Sequence, residues 1–179
     1  MEKIVDTITK GGANTCGTEV VYRIGINRMS VLVRELDPTT NRYVEKAQFN
    51  PAEEETLAVY TETKAKADTR FRVAMAEGVT SWQVVESLKG MDVLEGDIAK
   101  VPAEGALGPD SYEIKQGDNR ADILARMEAT QDRWIAEAWE ARDTSVPIKN
   151  PEELLILASL IEKETGVAEE RRQVASVFV

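Results

Sequence analysis

Two glutamates near the end of one apolar stretch are the residues best placed to do chemistry in this 179-residue chain. Glu162 and Glu164 close the segment 150–165, which reads NPEELLILASLIEKET. The chain has no histidine, and its single cysteine is Cys16. Histidine-assisted nucleophiles, histidine-ligated metals, cysteine-rich zinc sites and an internal disulfide are therefore excluded. Acid–base chemistry must fall to Asp, Glu, Lys or Tyr.

The segment that carries these glutamates has the signals of a helix. Asn150 is a good N-cap, Pro151 suits the first helical position, and Glu153 has the spacing of a capping box. Residues 154–158 are apolar with no polar face, which predicts a helix buried on all sides. Gly166 is placed for a C-terminal cap.

A helical projection separates the two glutamates. At about 100° per residue, Glu164 falls on the face of Leu157, between Leu160 and Ile161, whereas Glu162 lies about 200° away. Partial desolvation on this stripe, and the negative end of the helix dipole, would both favour the protonated carboxyl of Glu164 near neutral pH. A general acid needs that form. The alternative, a solvated helix end without function, stays open.

Composition restricts the class of protein. The net charge is −10 and the sequence pI is about 4.7, without a basic cluster, so nucleic-acid binding is not expected. No run approaches the 18 or so apolar residues of a membrane span, and no signal peptide opens the chain. The sequence therefore predicts a soluble globular chain, with any membrane anchor lying upstream of Met1.

The hydrophobic periods predict an α+β fold, with a small antiparallel sheet and a mainly helical region around the buried central helix. Residues 19–49 predict a meander of two or three antiparallel strands. The other expected elements, in chain order, are a short helix in 1–10, a helix in 51–67, a strand in 71–76, a helix in 81–89 with Trp82, Val85 and Leu88 on one face, a short strand in 112–114 and a long helix in 119–142.

Three further features are candidates for a site. The loop 105–112 is shaped by glycine and proline, and loops of this kind often carry site residues. Trp134 and Trp139 could stack on sugars, although their helical spacing favours core packing. Arg171 or Arg172 could pair with Glu162 across the turn that follows the central helix.

The residues around the two glutamates match a known pattern. Residues 157–166 (LASLIEKETG), with Glu170-Arg171 and 174–178 (VASVF), resemble the signature of the YceG-like proteins, the endolytic murein transglycosylases also called MltG. Residues 76–81 (AEGVTS) resemble the family's EG motif, and 108–112 (GPDSY) resemble its PD-[ST]-Y loop. Three motifs in order make the resemblance specific from about Phe71 to the end.

The resemblance implies a domain organisation and a location. Residues 1–12 would be the tail of a LysM-like subdomain, 13–69 a strand-rich insert with a connecting helix, and 70–179 the catalytic domain. Family members are held by an amino-terminal membrane helix at the periplasmic face of the bacterial inner membrane. The expected partners are peptidoglycan glycan strands and, as candidates, cell-wall synthases, with the membrane reached only through an anchor absent from this chain.

The resemblance also implies a reaction. The family cleaves the bond between N-acetylmuramic acid (MurNAc) and N-acetylglucosamine (GlcNAc), and leaves 1,6-anhydro-MurNAc ends. Its catalytic glutamate is the one before Thr, here Glu164, and it works without a metal or cofactor, because the C6 hydroxyl of the substrate is the nucleophile. The residues implied for substrate binding or support are Glu162, Ser159, Glu77, Asp110, Ser111, Tyr112 and Arg171.

Two departures from the family pattern matter. Gly108 stands where the family loop often has a large aromatic residue, so a contact to sugar is expected to be missing. The chain also ends before the family's Asn-Arg-Leu and Gln-[ST]-Asp-Pro-Thr segments, which predicts a fragment that binds sugar poorly or is inactive. A non-catalytic peptidoglycan-binding or scaffold module is the alternative. Aminodeoxychorismate lyase chemistry is rejected, since no pyridoxal phosphate fold or Schiff-base lysine is recognisable.

Overall fold

The computed structural model describes residues 17–52 and 55–178, and within them the fold is α+β, as the sequence predicted. In these described residues a five-stranded sheet is accompanied by five helices. In chain order the elements are β1 (Thr18–Ile24), β2 (Met29–Asp37), β3 (Arg42–Phe49), α1 (Ala58–Lys64), β4 (Arg70–Met75), α2 (Ser81–Lys89), β5 (Ser111–Ile114), α3 (Arg120–Ala141), α4 (Pro151–Glu164) and α5 (Arg171–Phe178).

The sheet has the strand order β3-β2-β1-β4-β5. The meander of β1, β2 and β3 is confirmed, but the sheet is mixed, because β1 and β4 pair in parallel. This pairing unites strands on the two sides of the expected domain boundary at 69/70. The division into an insert and a catalytic domain stays a prediction.

The core lies where the sheet meets α2 and α3. Strand residues with a period of two supply one side of it, and helix residues spaced by three and four supply the other. The members that define it are Val20, Tyr22, Ile24, Val31, Val33 and Val73 from the strands, with Val84, Val85, Leu88, Ile123, Leu124 and Met127 from the helices. This core fixes the sheet edge from which the motif loops emerge.

A polar network inside this fold ties α1 to the sheet. The hydroxyl oxygens of Tyr22 and Tyr60 lie 2.7 Å apart, and Tyr60 donates to the carboxylate of Asp92. The ammonium of Lys64 lies 2.5 Å from the other carboxylate oxygen. Although burial opposes the effect, the hydrogen bonds from Lys64 and Tyr60 hold the pKa of Asp92 below its ordinary value.

Several elements differ from the sequence prediction. The helix expected from Pro51 is wrong at its start, since α1 begins at Ala58. The Asn50 side chain accepts a hydrogen bond from the Ala52 backbone N–H (3.0 Å), which favours a turn there. The helix expected in 1–10, the LysM-like tail in 1–12 and Cys16 lie outside the described residues.

The expected burial of the central helix is also wrong. In the described chain α4 has no buried residue, and Ile156 and Leu160 are 54% and 42% exposed. Its main contacts are with α3 and α5, so one side faces away from the protein. An all-round apolar pattern predicted burial, but it cannot specify how many neighbours cover a helix.

The predicted cap at Gly166 is wrong as well. The helix ends at Glu164, its C-cap Thr165 has extended backbone angles, and Gly166 is not among the glycines with positive φ. A left-handed glycine is therefore not the feature that terminates α4.

The Asp92 network makes acid sensitivity a test of the fold. A carboxyl group whose pKa is depressed on folding stabilises the protein above its unfolded pKa, and this stabilisation is lost as pH falls through the folded value. We expect Asp92→Asn to lower the free energy of unfolding by about 1 kcal/mol at pH 7, discounted for partial exposure. This deficit should shrink below about pH 4.

Urea unfolding across pH would measure this difference. Asp97→Asn is the control, since Asp97 is exposed and makes no hydrogen bond or ion pair within the described residues. Identical pH profiles for the two variants would contradict the structural role of Asp92.

Candidate active site

The EG motif forms the turn between β4 and α2. Thr80 caps α2 through a capping box, in which its hydroxyl accepts from the Gln83 N–H (3.2 Å) and the Gln83 side chain accepts from the Thr80 N–H (2.9 Å). Gly78 adopts a φ of 75°, a conformation that favours glycine. Glu77 lies exposed in this turn. The motif therefore presents a carboxylate on a well-anchored bend.

The loop that carries the PD-[ST]-Y match lies beside this turn. The Ser81 N–H donates to the Glu104 carboxylate, and the Ser81 hydroxyl donates to the Ala103 carbonyl, both at 2.9 Å. The Met75 N–H donates to the Asp110 carbonyl at 3.0 Å. Two motifs that are about 30 residues apart in sequence thus meet at one edge of the sheet.

Within this loop, Tyr112 is held in place and Asp110 is at the surface. The buried Tyr112 hydroxyl donates to the Gly108 carbonyl (2.5 Å), and burial raises the pKa of this phenol. Asp110 and Ser111 are exposed, and the Asp110 carboxylate accepts from the Ser111 N–H at 2.7 Å. Tyr112 therefore closes the loop, while Asp110 and Ser111 are the members that a ligand could reach.

Gly108 allows this loop to approach α3 closely. Its N–H donates to the Met127 carbonyl at 3.1 Å. A Cβ at position 108 would lie 3.0 Å from the Thr130 methyl carbon and 3.1 Å from the Gln131 backbone nitrogen. A side chain at position 108 would require Thr130 or the backbone of α3 to shift by a few tenths of an ångström.

The carboxyl end of α4 presents its two glutamates differently. Glu162 accepts a hydrogen bond from the Arg171 guanidinium at 3.1 Å, which confirms the predicted pairing across the turn. Glu164 is exposed and has no hydrogen bond or ion pair within the described part of the chain. The desolvation expected for it is not found there, because Leu157 and Ile161 are only half-buried.

Thr165 fixes the turn that follows Glu164, and sequence reasoning gave it no role. This residue is 6% exposed, and its N–H donates to the Ile161 carbonyl at 3.1 Å. Its hydroxyl accepts from the Val167 N–H and donates to the Glu170 carboxylate, both at 3.0 Å. A threonine at the end of an apolar helix, two residues before a new segment, is the local signal that could have indicated such a motif.

Comparison with known proteins gives a family. A family model described as the YceG-like family matches residues 24–179. The chain belongs to the YceG-like family. No curated protein matches it. The matched range begins at Ile24, so β2, β3 and α1 lie inside it together with all three motifs.

In this YceG-like chain, the predicted site residues form two groups. Glu77, Asp110, Ser111 and Tyr112 lie at the sheet edge. Ser159, whose hydroxyl donates to the Leu155 carbonyl at 2.9 Å, lies on α4, as do Glu162 and Glu164, with Arg171 opposite. No hydrogen bond or ion pair joins the groups within residues 17–52 and 55–178.

The loop and α4 do approach each other at one point. A Cβ at Gly105 would lie 3.1 Å from a methyl carbon of Leu155, so the loop runs against the first half of α4. Glu164 lies nine positions after Leu155, about 13 Å further along the helix axis and about 180° around it, so the loop contacts the face of α4 opposite to Glu164.

Across the described segments, no group of three or more His, Cys, Asp or Glu side chains is arranged to hold a metal ion. No helix in those same segments is both long and apolar enough to cross a membrane.

The close approach at Gly108 predicts a stability effect. Gly108→Ala should lower the free energy of unfolding by about 1–3 kcal/mol, because the new methyl group would press on Thr130 and on the backbone of α3. Gly166→Ala is the matched control, since no described atom lies within 4 Å of its added Cβ. Urea denaturation of both variants tests the claim, and equal stability of the two would contradict it.

The Thr165 motif makes a local prediction. Thr165→Val removes the hydroxyl that accepts from the Val167 N–H, so this amide should lose protection against hydrogen exchange by about 5- to 30-fold, or about 1–2 kcal/mol. Hydrogen exchange followed by NMR measures it. Thr144→Val, at an exposed threonine, should leave the Val167 amide unaffected, and unchanged protection in Thr165→Val would show that the hydroxyl does not hold the turn.

Proposed function

We propose that this YceG-like chain comes from an endolytic murein transglycosylase that cleaves the MurNAc–GlcNAc bond and leaves 1,6-anhydro-MurNAc ends. The observation that carries the proposal is the state of Glu164. It is an exposed carboxyl group without a partner in the described chain, between the salt-bridged Glu162 and the buried Thr165. Family membership supports the same reaction class.

The two glutamates would then have different roles. The carboxylate of Glu162 is engaged by the Arg171 guanidinium, so its part is to hold α5 against the end of α4. Glu164 makes no such interaction with described residues, and Thr165 fixes the backbone directly after it. A general acid must reach its substrate atom from a defined position, and this arrangement provides both access and position.

The reaction needs one carboxyl group. The protonated Glu164 donates its proton to the oxygen that bridges the two sugars while the bond from C1 of MurNAc to that oxygen breaks. The resulting carboxylate accepts the proton of the MurNAc C6 hydroxyl, whose oxygen forms a bond to C1. Glu164 ends in its starting form, and the products are a GlcNAc with a free hydroxyl and an anhydro sugar.

The bound substrate would shield the carboxyl group of Glu164 from water, which the described residues do not do. A bound glycan strand would exclude water from the carboxyl group and favour the neutral form that the first step requires. Two-carboxylate glycosidases need a second acid at fixed distance, either as nucleophile or to activate water. Here the C6 hydroxyl is the nucleophile, so a single glutamate is sufficient.

The proposal places the full-length protein in the bacterial cell envelope, at the periplasmic face of the inner membrane. Its partners would be glycan strands and the synthases that make them. The exposed Asp110, Ser111 and Glu77 would contact more distant parts of the strand.

Activity of the full-length protein on purified glycan strands tests this proposal. Glu164→Gln should reduce the release of anhydro-muropeptides, measured by mass spectrometry, by about 10²- to 10⁴-fold, because amides cannot serve as general acids. Glu162→Gln, the matched control two residues away, should cost less than about tenfold, since its loss weakens one exposed ion pair.

Two results would count against the proposal. Unchanged activity of Glu164→Gln would reject the assignment of the acid. Binding of glycan strands by the full-length wild-type protein without any turnover would favour the second candidate, a non-catalytic peptidoglycan-binding or scaffold module. The observation behind this candidate is that the side chain of Glu164 is exposed, with only half-buried apolar neighbours at Leu157 and Ile161.

A further inference from the structure

A cavity of about 480 Å³ lies at the sheet edge, beside the EG turn. The hairpin between β1 and β2 forms one side of it, and the end of β4 forms the other. Arg23 and Arg28 line this cavity, together with the amide side chain of Asn27 and the hydroxyl of Ser30. The proposed reaction at Glu164 does not use any of these residues.

The charge of this cavity is opposite to that of the chain. The net charge of the protein is −10, yet among the described residues that line the cavity there are two arginines and no acid. Both guanidinium groups are exposed, and neither pairs with a carboxylate within residues 17–52 and 55–178. By contrast, Arg34 and Arg72 on neighbouring strands both bind the buried carboxylate of Glu19.

Apolar residues also line the cavity. Ile26 is 56% exposed, and Met75, the last residue of β4, is a second apolar lining residue. The backbone of Ile26 is fixed because its carbonyl accepts from the Gln83 side chain at 2.7 Å, and its side chain lies over Gly78. The cavity is thereby built onto the EG motif and α2. Its ligand should carry a carboxylate next to small apolar groups.

We propose that this cavity binds a carboxylate of the peptide stem of peptidoglycan, which carries carboxylates beside alanyl methyl groups. The guanidinium groups of Arg23 and Arg28 hold the carboxylate, and Ile26 and Met75 contact the methyl groups. The inference rests on the proposed function, since it takes the same polymer as substrate. It adds that the protein recognises strands that bear peptides. A free lactyl carboxyl of MurNAc has the same chemistry and is the alternative source.

Binding measurements on the full-length protein separate these sources. Every variant carries Glu164→Gln, so that turnover does not change the probes. Three probes are titrated by calorimetry: GlcNAc–MurNAc with a free lactyl carboxyl, the same disaccharide with its peptide stem, and that peptide form with its carboxyls converted to carboxamides. The peptide form should bind about tenfold more tightly than its carboxamide. In Arg23→Gln/Arg28→Gln, this preference should disappear.

A matched control keeps the test specific. Arg42→Gln/Lys115→Gln removes two exposed cations at the opposite end of the sheet and should keep the tenfold preference. Equal affinity for the carboxylate and carboxamide forms, or a preference that survives in Arg23→Gln/Arg28→Gln, would overturn the proposal. Equal or tighter binding of the free-lactyl disaccharide would reject the peptide stem as the source. The wild-type protein could cleave glycan strands while the Glu164→Gln protein binds the carboxylate and carboxamide forms equally. In that case only the inference about this cavity fails, and the proposed function stands.

Discussion

The parallel pairing of β1 with β4 is the constraint from which the arrangement of the motifs follows. It aligns Ile24 with Met75, so the carboxyl ends of both strands lie at one edge of the sheet. The EG turn continues from β4 at this edge, and the hairpin that carries Arg23 and Arg28 continues from β1. Because β5 is antiparallel to β4, its first residue returns the PD-[ST]-Y loop to the same place. The EG turn, the hairpin and the PD-[ST]-Y loop, which are far apart in sequence, therefore lie together at this edge of the sheet.

The second structural unit is the turn between α4 and α5, where the proposed acid lies. Its stability does not come from a buried helix, since α4 is only partly covered in the described chain. It comes from local interactions: the Asn150 cap at one end, and Thr165 with the Glu162–Arg171 ion pair at the other. Exposed ion pairs contribute little to stability, so the buried Thr165 hydroxyl is the stronger determinant of where Glu164 projects.

The sequence predicted those parts of the fold that are specified by residues close together in the chain, such as helix caps. The Asn150 cap and the helical spacing in 81–89 and 119–142 mark helices that the structure contains. The predictions that were wrong concern which neighbouring elements cover the surface of a helix. Trp82 was predicted to share a face of α2 with Val85 and Leu88. Those two residues are buried together with Ser81 and Val84, but Trp82 is 60% exposed. The cavity of Arg23 and Arg28 depends on a pairing of strands about 50 residues apart, which no local pattern specifies.

In the proposed reaction, Glu164 contacts the bond that is cleaved. A crystal structure of the full-length Glu164→Gln protein with an uncleaved glycan strand tests this contact directly. The side chain at position 164 should lie about 3 Å from the oxygen bridging MurNAc and GlcNAc. A strand bound with this oxygen beyond hydrogen-bond reach of position 164, and next to another carboxyl group, would contradict it.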